Sequence, residues 1–380
     1  MSDSPAAHGP RSRLLLILGS LQAGGAERQL SDMANYWSAR GVQVTLATWN
    51  GPEVEDFYVL EHTVERVHLG VNGSRVRLLS LVAILAGIMR LRRLIRTLRP
   101  HAVLSFIDVS NVCTIVASGG LGVRVVVAER THPALRRSMG LRWRLLRRIC
   151  YRHADLVVAQ TRDAAGWLER NCHARVSVIP NALRDLPSLN CPREPLIVAV
   201  GRLTTEKGLD LLLRAFARLQ SRFPEWRVCV VGEGVERDAL ARLSERLQLT
   251  QRVEFLGEVR EVDHWLARAS LLVHPSRREG FPNAVLEAMG MGLAVVSADC
   301  RAGPSELIED GVNGRLVPVD DVDALARAMS ELMASPSSRE ALGREARQVR
   351  QRFSQERIME SWRGCVLPEI PWASESDGHR

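Results

Sequence analysis

The sequence is nearly without lysine. Of its 51 basic residues, Lys207 is the one lysine and the other 50 are arginines. A lysine ammonium is a compact point charge on a flexible stem, which a planar guanidinium does not replace. A single lysine in such a composition therefore indicates a chemical role for Lys207.

Cysteines are few, and long apolar runs are missing. The seven cysteines are scattered and form no CxxC pair, which argues against a disulfide framework or a structural zinc and favours a reducing compartment. The apolar run Leu14–Leu18 is too short for a signal-peptide core. No stretch approaches the ~20 apolar residues of a membrane-spanning helix. We therefore expect a cytoplasmic protein without a membrane span.

Acidic residues are missing from two stretches of the first half, 66–107 and 130–154. Up to Asn190 the chain has 25 arginines against 14 acidic residues, whereas the remainder has 26 basic and 29 acidic residues. Both stretches interleave arginine with Leu, Ile and Val, which is typical of amphipathic helices on an anionic membrane surface. Solvated helix faces are the alternative. Binding of nucleic acid is a third option. Only 5% of the residues are aromatic, however, so few side chains could stack on bases, and we expect no nucleic-acid partner.

Short apolar runs alternate with helical patterns along all 380 residues, which predicts an α/β protein with parallel sheets. A proline-punctuated stretch at 180–195 separates two such halves. We expect two doubly wound domains, 11–188 and 189–353, followed by a helical segment at 354–370. Sheets of this kind bind ligands beyond the carboxyl ends of their strands.

Two glycine-containing turns follow predicted strands. Gly24 and Gly25 open a helix after the first strand, where backbone N–H groups and the helix dipole favour an anion. This turn is not the dinucleotide fingerprint GxGxxG, so it does not predict NAD. Gly232, in the turn Val-Val-Gly-Glu-Gly, would allow the backbone to approach a bound phosphate closely.

The segment 201–208, Gly-Arg-Leu-Thr-Thr-Glu-Lys-Gly, superficially resembles a P-loop. Glu206 stands where the second glycine should be, and Gly208 replaces the magnesium-binding hydroxyl, which argues against a nucleotide triphosphatase. What remains is two cations, Arg202 and Lys207, at a strand end before a helix predicted at Lys207–Ser221. That arrangement suits a leaving diphosphate, whose negative charge grows as the bond breaks. The alternative is a surface ion pair with Glu206.

Two glutamates, Glu279 and Glu287, flank the sequence Gly-Phe-Pro-Asn-Ala-Val-Leu. Pro282 suits the first helical turn, which would aim the N–H groups of Gly280 and Phe281 at a ligand. Glu287, further along the helix, is placed to hold the vicinal diol of a ribose. Their eight-residue separation argues against a hydrolytic pair facing one bond. The alternative is two solvated helix glutamates.

These elements together resemble retaining glycosyltransferase family 4, of GT-B fold, in which two Rossmann-like domains face an interdomain cleft. The resemblance covers most of residues 13–365 and rests on five elements in the right order. They are GGAERQL (24–30), PNAL (180–183), GRLTTEKGLDLLLRAF (201–216), EGFPNAVLEAMGMGLAVV (279–296) and DCRAGPSELIEDGVNGRLVP (299–318).

The resemblance implies roles for individual residues. Arg202 and Lys207 would neutralise the donor diphosphate, and Glu279 would bind the transferred sugar; these three are the catalytic candidates. The donor-binding candidates are Gly24, Gly25, Gly232, Gly280, Phe281, Asn283 and Glu287. The loop after Ala128 resembles an acceptor-side loop of members that build lipid-linked oligosaccharides, which makes Arg130 and His132 acceptor-side candidates. The C-terminal helix would cross back onto the first domain.

The resemblance also implies the reaction. A sugar, a hexose or N-acetylhexosamine, would move from a UDP-sugar to a lipid-linked glycan with retention of configuration and without a metal or other cofactor. The protein would lie peripherally on the inner face of the cytoplasmic membrane. Two alternatives stay open: a UDP-sugar 2-epimerase of similar architecture, and a non-catalytic module that binds sugar nucleotides or membranes.

Overall fold

A computed structural model describes residues 12–22, 24–71, 77–135, 140–187, 189, 191–259, 261–301 and 303–368. These residues form two compact units. The first comprises the chain to Gln160, Ala164–Ile179 and the residues from Met359 on; the second comprises Thr161–Asp163 and Pro180–Ile358.

The first unit contains a parallel sheet with helices between its strands. Its strands are β1 (Arg13–Leu18), β2 (Gln43–Thr48), β3 (Glu65–His68), β4 (Ala102–Phe106), β5 (Arg124–Ala128), β6 (Leu156–Ala159) and β7 (Val176–Val178). The helices are α1 (Gly25–Ser38), α2 (Arg77–Leu98), α3 (Asp108–Ser118), α4 (Leu141–Cys150) and α5 (Arg162–Cys172).

The order of this sheet is β3-β2-β1-β4-β5-β6-β7, and every neighbouring pair is parallel. The central strands β1 and β4 are mostly apolar and, apart from Arg13 at the start of β1, buried on both faces, as helices on both sides of a parallel sheet require. Burying one leucine of such a strand contributes roughly 1.5–3 kcal/mol. The first unit is therefore doubly wound, as the alternating pattern predicts.

The second unit repeats this architecture. Its strands are β8 (Glu194–Val200), β9 (Arg227–Val231), β10 (Val253–Gly257), β11 (Ala269–His274), β12 (Ala294–Ala298) and β13 (Arg315–Val317). Its helices are α6 (Leu209–Ala217), α7 (Arg237–Arg246), α8 (Val262–Arg268), α9 (Asn283–Gly290), α10 (Val322–Ala334), α11 (Pro336–Ala346) and α12 (Val349–Arg352). The sheet order is β10-β9-β8-β11-β12-β13.

The centre of this sheet positions the residues that the sequence analysis singled out. β8 and β11 are paired neighbours and both are largely buried. The segment 201–208 follows β8, and the loop to Glu279 follows β11. Because parallel strands end at the same edge of a sheet, the two segments meet there.

The last helix, α13 (Gln355–Val366), begins in the second unit and ends in the first. Within the first unit, Trp362 is fully buried with its ring 5.6 Å from that of Phe106. The guanidinium of Arg124 donates hydrogen bonds to the carbonyl of Cys365. Residues 369–370 of the predicted helical segment lie outside the described residues.

Two local predictions differ from the structure. β3 was not predicted, since Glu65–His68 is polar; it lies at the sheet edge, where short charged strands are common. The predicted helix Lys207–Ser221 is shorter: Thr205–Lys207 forms one 3-10 turn, and α6 begins only at Leu209. Gly208, with φ +63°, separates the two.

All seven cysteines are free thiols. Among the described residues, no helix has both the length and the apolar content to cross a bilayer.

Candidate functional site

The turn that holds Lys207 depends on two glycines in conformations that other residues rarely adopt. A Cβ at Gly208 (φ +63°) would overlap the backbone oxygen of Pro275, so this glycine lets the turn touch the loop after β11. Gly201 (φ +155°) lies under the aliphatic stem of Lys207, where a Cβ would come within 3.3 Å of Cε. The two glycines thus fix the direction of the lysine side chain.

Lys207, Glu279 and His274 form one ionic cluster. The Nζ of Lys207 lies 2.6 Å from Oε1 of Glu279, and Nε2 of His274 lies 2.8 Å from the same oxygen. Burial alone would raise the pKa of the Glu279 carboxyl, but the charges of His274 and Lys207 outweigh it and lower the pKa from 4.5 to about 2. Glu279 is therefore a carboxylate at any physiological pH, paired with Lys207 and in contact with the ring of His274.

Arg277 fastens the two loops of this cluster to each other. Its guanidinium makes paired hydrogen bonds of 2.8 and 2.9 Å to Asp210 and donates to the carbonyl of Thr205. Its backbone N–H donates to the carbonyl of Glu206. The hydrogen bond to Asp210 raises the pKa of Arg277 above its usual value. The geometry of Lys207 against Glu279 is thus fixed from beside the cluster.

The backbone after Glu279 presents amide donors at the same edge. Among the described residues, the N–H groups of Gly280 and Phe281 donate to no protein acceptor. The ring of Phe281 is buried and lies 6.2 Å from that of Phe353, so its side chain belongs to the core and only its amide N–H could serve a ligand. Pro282 is the residue directly before α9, so the prediction that it lies in the first turn of the helix is wrong.

The second glutamate of the pair is held by an arginine that the sequence analysis missed. Nε of Arg184 donates to Glu287 at 3.0 Å, and the same guanidinium makes paired hydrogen bonds to Asp263. The hydrogen bond to Asp263, ahead of that to Glu287, raises the pKa of Arg184. The carboxylate of Glu287 thus points toward Arg184, and a bound ribose would have to share this carboxylate with the arginine. Asn283 is exposed, and its side-chain oxygen accepts a hydrogen bond of 2.7 Å from Asn181.

Arg202 and Gly232 have different surroundings. The guanidinium of Arg202 is exposed, and among the described residues it has no hydrogen-bonded or ion-paired partner. It is therefore available to an anion. Gly232 (φ +134°) packs on the next turn, because a Cβ there would overlap the carbonyl of Gly201. Its small size serves the packing of the β8 and β9 turns, and a contact with the donor stays a prediction.

Gly24 and Gly25 lie in the first unit at the start of α1. A Cβ at Gly24 would overlap the carboxylate of Glu27, which lies in the first turn of the helix. The hydroxyl of Tyr58 donates to the carbonyl of Gly24 at 2.9 Å. A carboxylate thus occupies the neighbourhood predicted for an anion, and the role of the two glycines toward the donor stays a prediction.

Of the acceptor-side candidates in the first unit, His132 is buried and Arg130 is partly buried. His132 is 1% exposed, and its Nδ1 accepts a hydrogen bond from the N–H of Ala134. The guanidinium of Arg130 stacks over Phe106 at 4.8 Å, and burial lowers its pKa to about 9. Both side chains support the loop from inside, so a direct contact with an acceptor stays a prediction.

A buried polar network lies beside them, centred on Glu129. The hydroxyl of Tyr151 donates to Glu129 at 2.7 Å, and Asn111 donates to that hydroxyl at 3.0 Å. Arg147 lies 3.7 Å from the same carboxylate and is only 3% exposed. Arg147 was counted among the basic residues for an anionic surface; the structure instead assigns its charge to Glu129.

Other arginines of the two basic stretches also fall into two groups, those bonded within the protein and those free to meet an anionic surface. Arg90 and Arg92 of α2 donate to backbone carbonyls, whereas the exposed Arg93 and Arg96 have no hydrogen-bonded or ion-paired partner among the described residues. Arg75, Arg136 and Arg137 lie outside the described residues.

Carboxylates are not clustered as metal ligands in the described part of the chain, which contains no group of three His, Cys, Asp or Glu placed to hold an ion. The sequence has an Asp-x-Asp at the start of α10. Asp321 accepts a hydrogen bond from the N–H of Ala324 as the helix cap, and Asp323 is paired with Arg218. One carboxylate thus caps α10, and the other pairs with Arg218 beyond the end of α6.

Comparison with known families identifies both halves. The model of Glycosyltransferase Family 4 matches residues 23–184, and that of Glycosyl transferases group 1 matches residues 187–349. The two models together cover most of the chain. The chain therefore belongs to the family 4 glycosyltransferases, which the five sequence elements predicted.

Curated relatives match to different extents. An exopolysaccharide phosphotransferase from Streptomyces coelicolor is 35% identical over 216 residues, 55% of this chain, but the match spans only 23% of that protein's length. An uncharacterised glycosyltransferase of Haemophilus influenzae is matched over 53% of its length. A Campylobacter jejuni α-1,4-N-acetyl-D-galactosaminyltransferase, named for a diNAcBac-PP-undecaprenol substrate, is 26% identical over 92% of this chain and 97% of its own length.

Solved structures share the fold. Sucrose-phosphate synthase from Thermosynechococcus elongatus gives a TM-score of 0.79 at 20% identity, over 93% of this chain and 97% of its own. Anabaena HepE in complex with UDP gives 0.76 at 20% identity, over 94% and 100%. The fold is GT-B, with two Rossmann-like halves, as expected.

Proposed function

We propose that this chain is a glycosyltransferase that moves a sugar from a UDP-sugar to a lipid-linked glycan, with retention of configuration and without a metal ion. The observation that carries the proposal is the pairing of Lys207 with an ionised Glu279 at the strand ends of the second unit. Two unengaged amide donors and an exposed Arg202 lie in the segments that flank the pair.

The cluster suits a diphosphate leaving group. As the bond from the sugar C1 to the phosphate oxygen breaks, negative charge grows on the diphosphate, and fixed cations stabilise it. Lys207, whose side chain is 21% exposed, exchanges its carboxylate partner for a phosphate oxygen, and Arg202 supplies the second positive charge. The acceptor hydroxyl forms the new bond to C1 on the same face and gives its proton to the departing phosphate oxygen.

Glu279 has a different part in this mechanism. A carboxylate accepts hydrogen bonds, so once Lys207 turns to phosphate, Glu279 accepts from hydroxyls of the transferred sugar. His274 keeps that carboxylate ionised and in place throughout, at 2.8 Å. Glu287 accepts from the ribose of the nucleoside and stays oriented by Arg184.

The donor and acceptor classes rest on the relatives. HepE is described in complexes with UDP and with UDP-glucose. Two Campylobacter transferases are named for N-acetylgalactosamine transfer onto undecaprenol-linked glycans. A hexose or N-acetylhexosamine carried by UDP, and a glycan on a polyprenyl diphosphate, are the corresponding substrates here.

Helices of the first unit fit an anionic bilayer. α2 exposes Val82, Leu85 and Met89, and α4 exposes Leu141, Leu145 and Ile149, each set at helical spacing along one stripe. Exposed arginines flank the stripes, among them Arg93, Arg96, Arg142 and Arg148. Apolar side chains entering the acyl boundary with guanidiniums at the phosphates make a peripheral membrane surface. We place the protein on the inner face of the cytoplasmic membrane.

The experiment is a screen of UDP-sugars against polyprenyl-diphosphate-linked glycans, read by mass spectrometry. We expect a mass increase of one sugar on the acceptor and an α linkage from an α donor by NMR. Unchanged activity in EDTA is expected as well. Release of a free epimerised UDP-sugar without acceptor, or no turnover with any pair, would contradict the proposal.

Membrane binding is tested separately by flotation with anionic vesicles. Wild-type protein should float, less so at high salt, because screening weakens the attraction of arginines to phosphates. Leu145→Asp together with Ile149→Asp should abolish flotation. The matched control, Val235→Asp, changes an exposed apolar residue of the second unit and should float like wild type. Flotation that changes neither with salt nor with the double substitution would contradict the proposed membrane surface.

A further inference from the structure

A second charged site lies in the second unit, away from the Lys207 cluster. A groove of about 600 Å³ is lined by Arg193, Arg339, Arg344 and Arg347, and an adjoining hollow adds Arg350. We call these five residues the arginine groove. Arg193 stands directly before β8, and Ser270 and Ala294, also in the lining, lie at the amino ends of β11 and β12. The groove is thus at the edge of the sheet opposite to Lys207.

The groove has a large excess of positive charge. Glu340 is the one acidic residue in the described lining of either hollow. The pKa of Arg193 lies below its usual value, first because of burial and then because of the like charges of Arg347 and Arg339. Like charges held this close repel each other, and an anion between them would relieve the repulsion.

Three of the arginines are fixed in place by backbone carbonyls. Arg193 donates to Ala269 and Met291, Arg350 to Gly290, and Arg339 to Leu332 and Met333, at 2.5–3.1 Å. Several of these carbonyls end α9 and α10, where cations are favourable. These hydrogen bonds use some of the N–H donors of each guanidinium and fix the direction of the remaining donors.

The other two arginines of the groove, Arg344 and Arg347, have no backbone carbonyl as a partner in the described part of the chain. Arg344 and Arg347 are exposed, and among the described residues neither has a hydrogen-bonded or ion-paired partner for its guanidinium. Gly292, with φ +69°, lets the guanidinium of Arg347 lie directly over its turn, where a Cβ would overlap Nε. The chain thus makes room for a cation at the groove floor without supplying an anion for it.

We propose that the arginine groove binds a ligand with clustered phosphates, such as a diphosphate ester. Guanidinium forks bind phosphate oxygens in pairs, and fixed arginines lose little freedom on doing so. The groove is separate from the donor site, because five to seven strand residues at ~3.3 Å each put roughly 15–20 Å of sheet between them. The proposal is independent of sugar transfer.

The test is calorimetric titration of the full chain with inorganic pyrophosphate. The Arg202→Ala/Lys207→Ala variant is used as the background, so that neither cation of the donor site contributes to pyrophosphate binding. We expect saturable binding that weakens about tenfold or more in Arg344→Gln/Arg347→Gln, since two charge-assisted contacts are lost. The matched control is Arg242→Gln/Arg246→Gln, which removes two exposed arginines from α7 and should bind like the background.

Thermal unfolding of both double variants establishes that they are folded. Equal weakening in the two variants, or no saturable binding in the background, would overturn the proposal. A competition arm separates the sources of phosphate. Phosphatidic acid vesicles that displace pyrophosphate assign the site to a lipid headgroup, and vesicles without effect assign it to a soluble phosphate ester.

Discussion

Each unit has a glutamate that follows a buried strand, but the two glutamates have different surroundings. Glu129 follows β5 in the first unit and is enclosed with Tyr151 and Asn111, both fully buried. Glu279, in the loop after β11, is 9% exposed and pairs with the partly exposed Lys207.

The difference concerns whether a partner can be exchanged. The buried hydroxyl of Tyr151 has no access to a solvent partner that could replace Glu129. Burial, and after it the charge of Glu129, raises the pKa of Tyr151 well above 10. Lys207 is partly exposed instead, and a phosphate oxygen could replace the carboxylate as its partner. A glutamate beyond a strand end thus belongs to a fully buried network in one unit and to a partly exposed ionic cluster in the other, and our proposal is that only the second exchanges its partner.

Removing the exchangeable cation is the largest expected effect. Lys207→Ala should lower kcat by about 100-fold or more, because one preorganised charge opposite the leaving diphosphate is lost. The measurement is steady-state transfer with the donor found in the screen. Lys207→Arg, which keeps the charge, is the control and should recover part of the rate. A near-normal rate for the alanine variant would mean that the cluster is structural only.

The second prediction concerns pH. Because the folded pKa of Glu279 is about 2 against 4.5 when unfolded, its charge stabilises the folded protein above pH 4.5, and this contribution is lost as pH falls toward 2. The difference in free energy of unfolding between wild type and Glu279→Gln should therefore shrink over that window, as measured by urea unfolding. A difference that stays constant from pH 4.5 to 3 would show that the pKa is not lowered.

A smaller effect is expected at the ribose side. Arg184→Ala should raise KM for the donor about tenfold with a lesser change in kcat, since it frees Glu287 to rotate and leaves Asp263 without its partner. Asp263→Asn is the matched control: it keeps Arg184 and should have a milder effect. An equal fall in kcat with KM unchanged would place Arg184 in the chemical step instead.

The smallest effect on donor binding belongs to the fixed network. Tyr151→Phe should lower the free energy of unfolding by about 1–3 kcal/mol, because Glu129 loses a buried hydrogen bond. Affinity for UDP should be unchanged in a calorimetric titration. A weakened affinity for UDP would abolish the contrast between the two units.

Much of the fold was predictable because both sheets are buried on both faces. Continuous apolar runs such as Leu14–Leu18 leave little doubt about a strand, and the polar edge strand β3 gives no comparable signal. Lys207 was found by its rarity and Glu279 by its motif. The extent of α6 was missed because Gly208 ends the preceding turn through a contact with Pro275, distant in sequence.

The partners of the site residues were harder to predict. His274 ends a buried strand, and a polar residue in that position was a signal available in the sequence. Arg184 and Arg277 are two arginines among fifty, and only the folded chain shows which carboxylates they meet. For the same reason Arg147 was assigned to the surface, although it pairs inside with Glu129.

The most direct test of the central claim is a crystal structure of the protein with UDP bound. The account predicts that Nζ of Lys207 leaves Glu279 and lies within hydrogen-bond distance of a diphosphate oxygen, with the guanidinium of Arg202 on the same group. A diphosphate bound elsewhere, with Lys207 still paired to Glu279 and Arg202 in solvent, would contradict it.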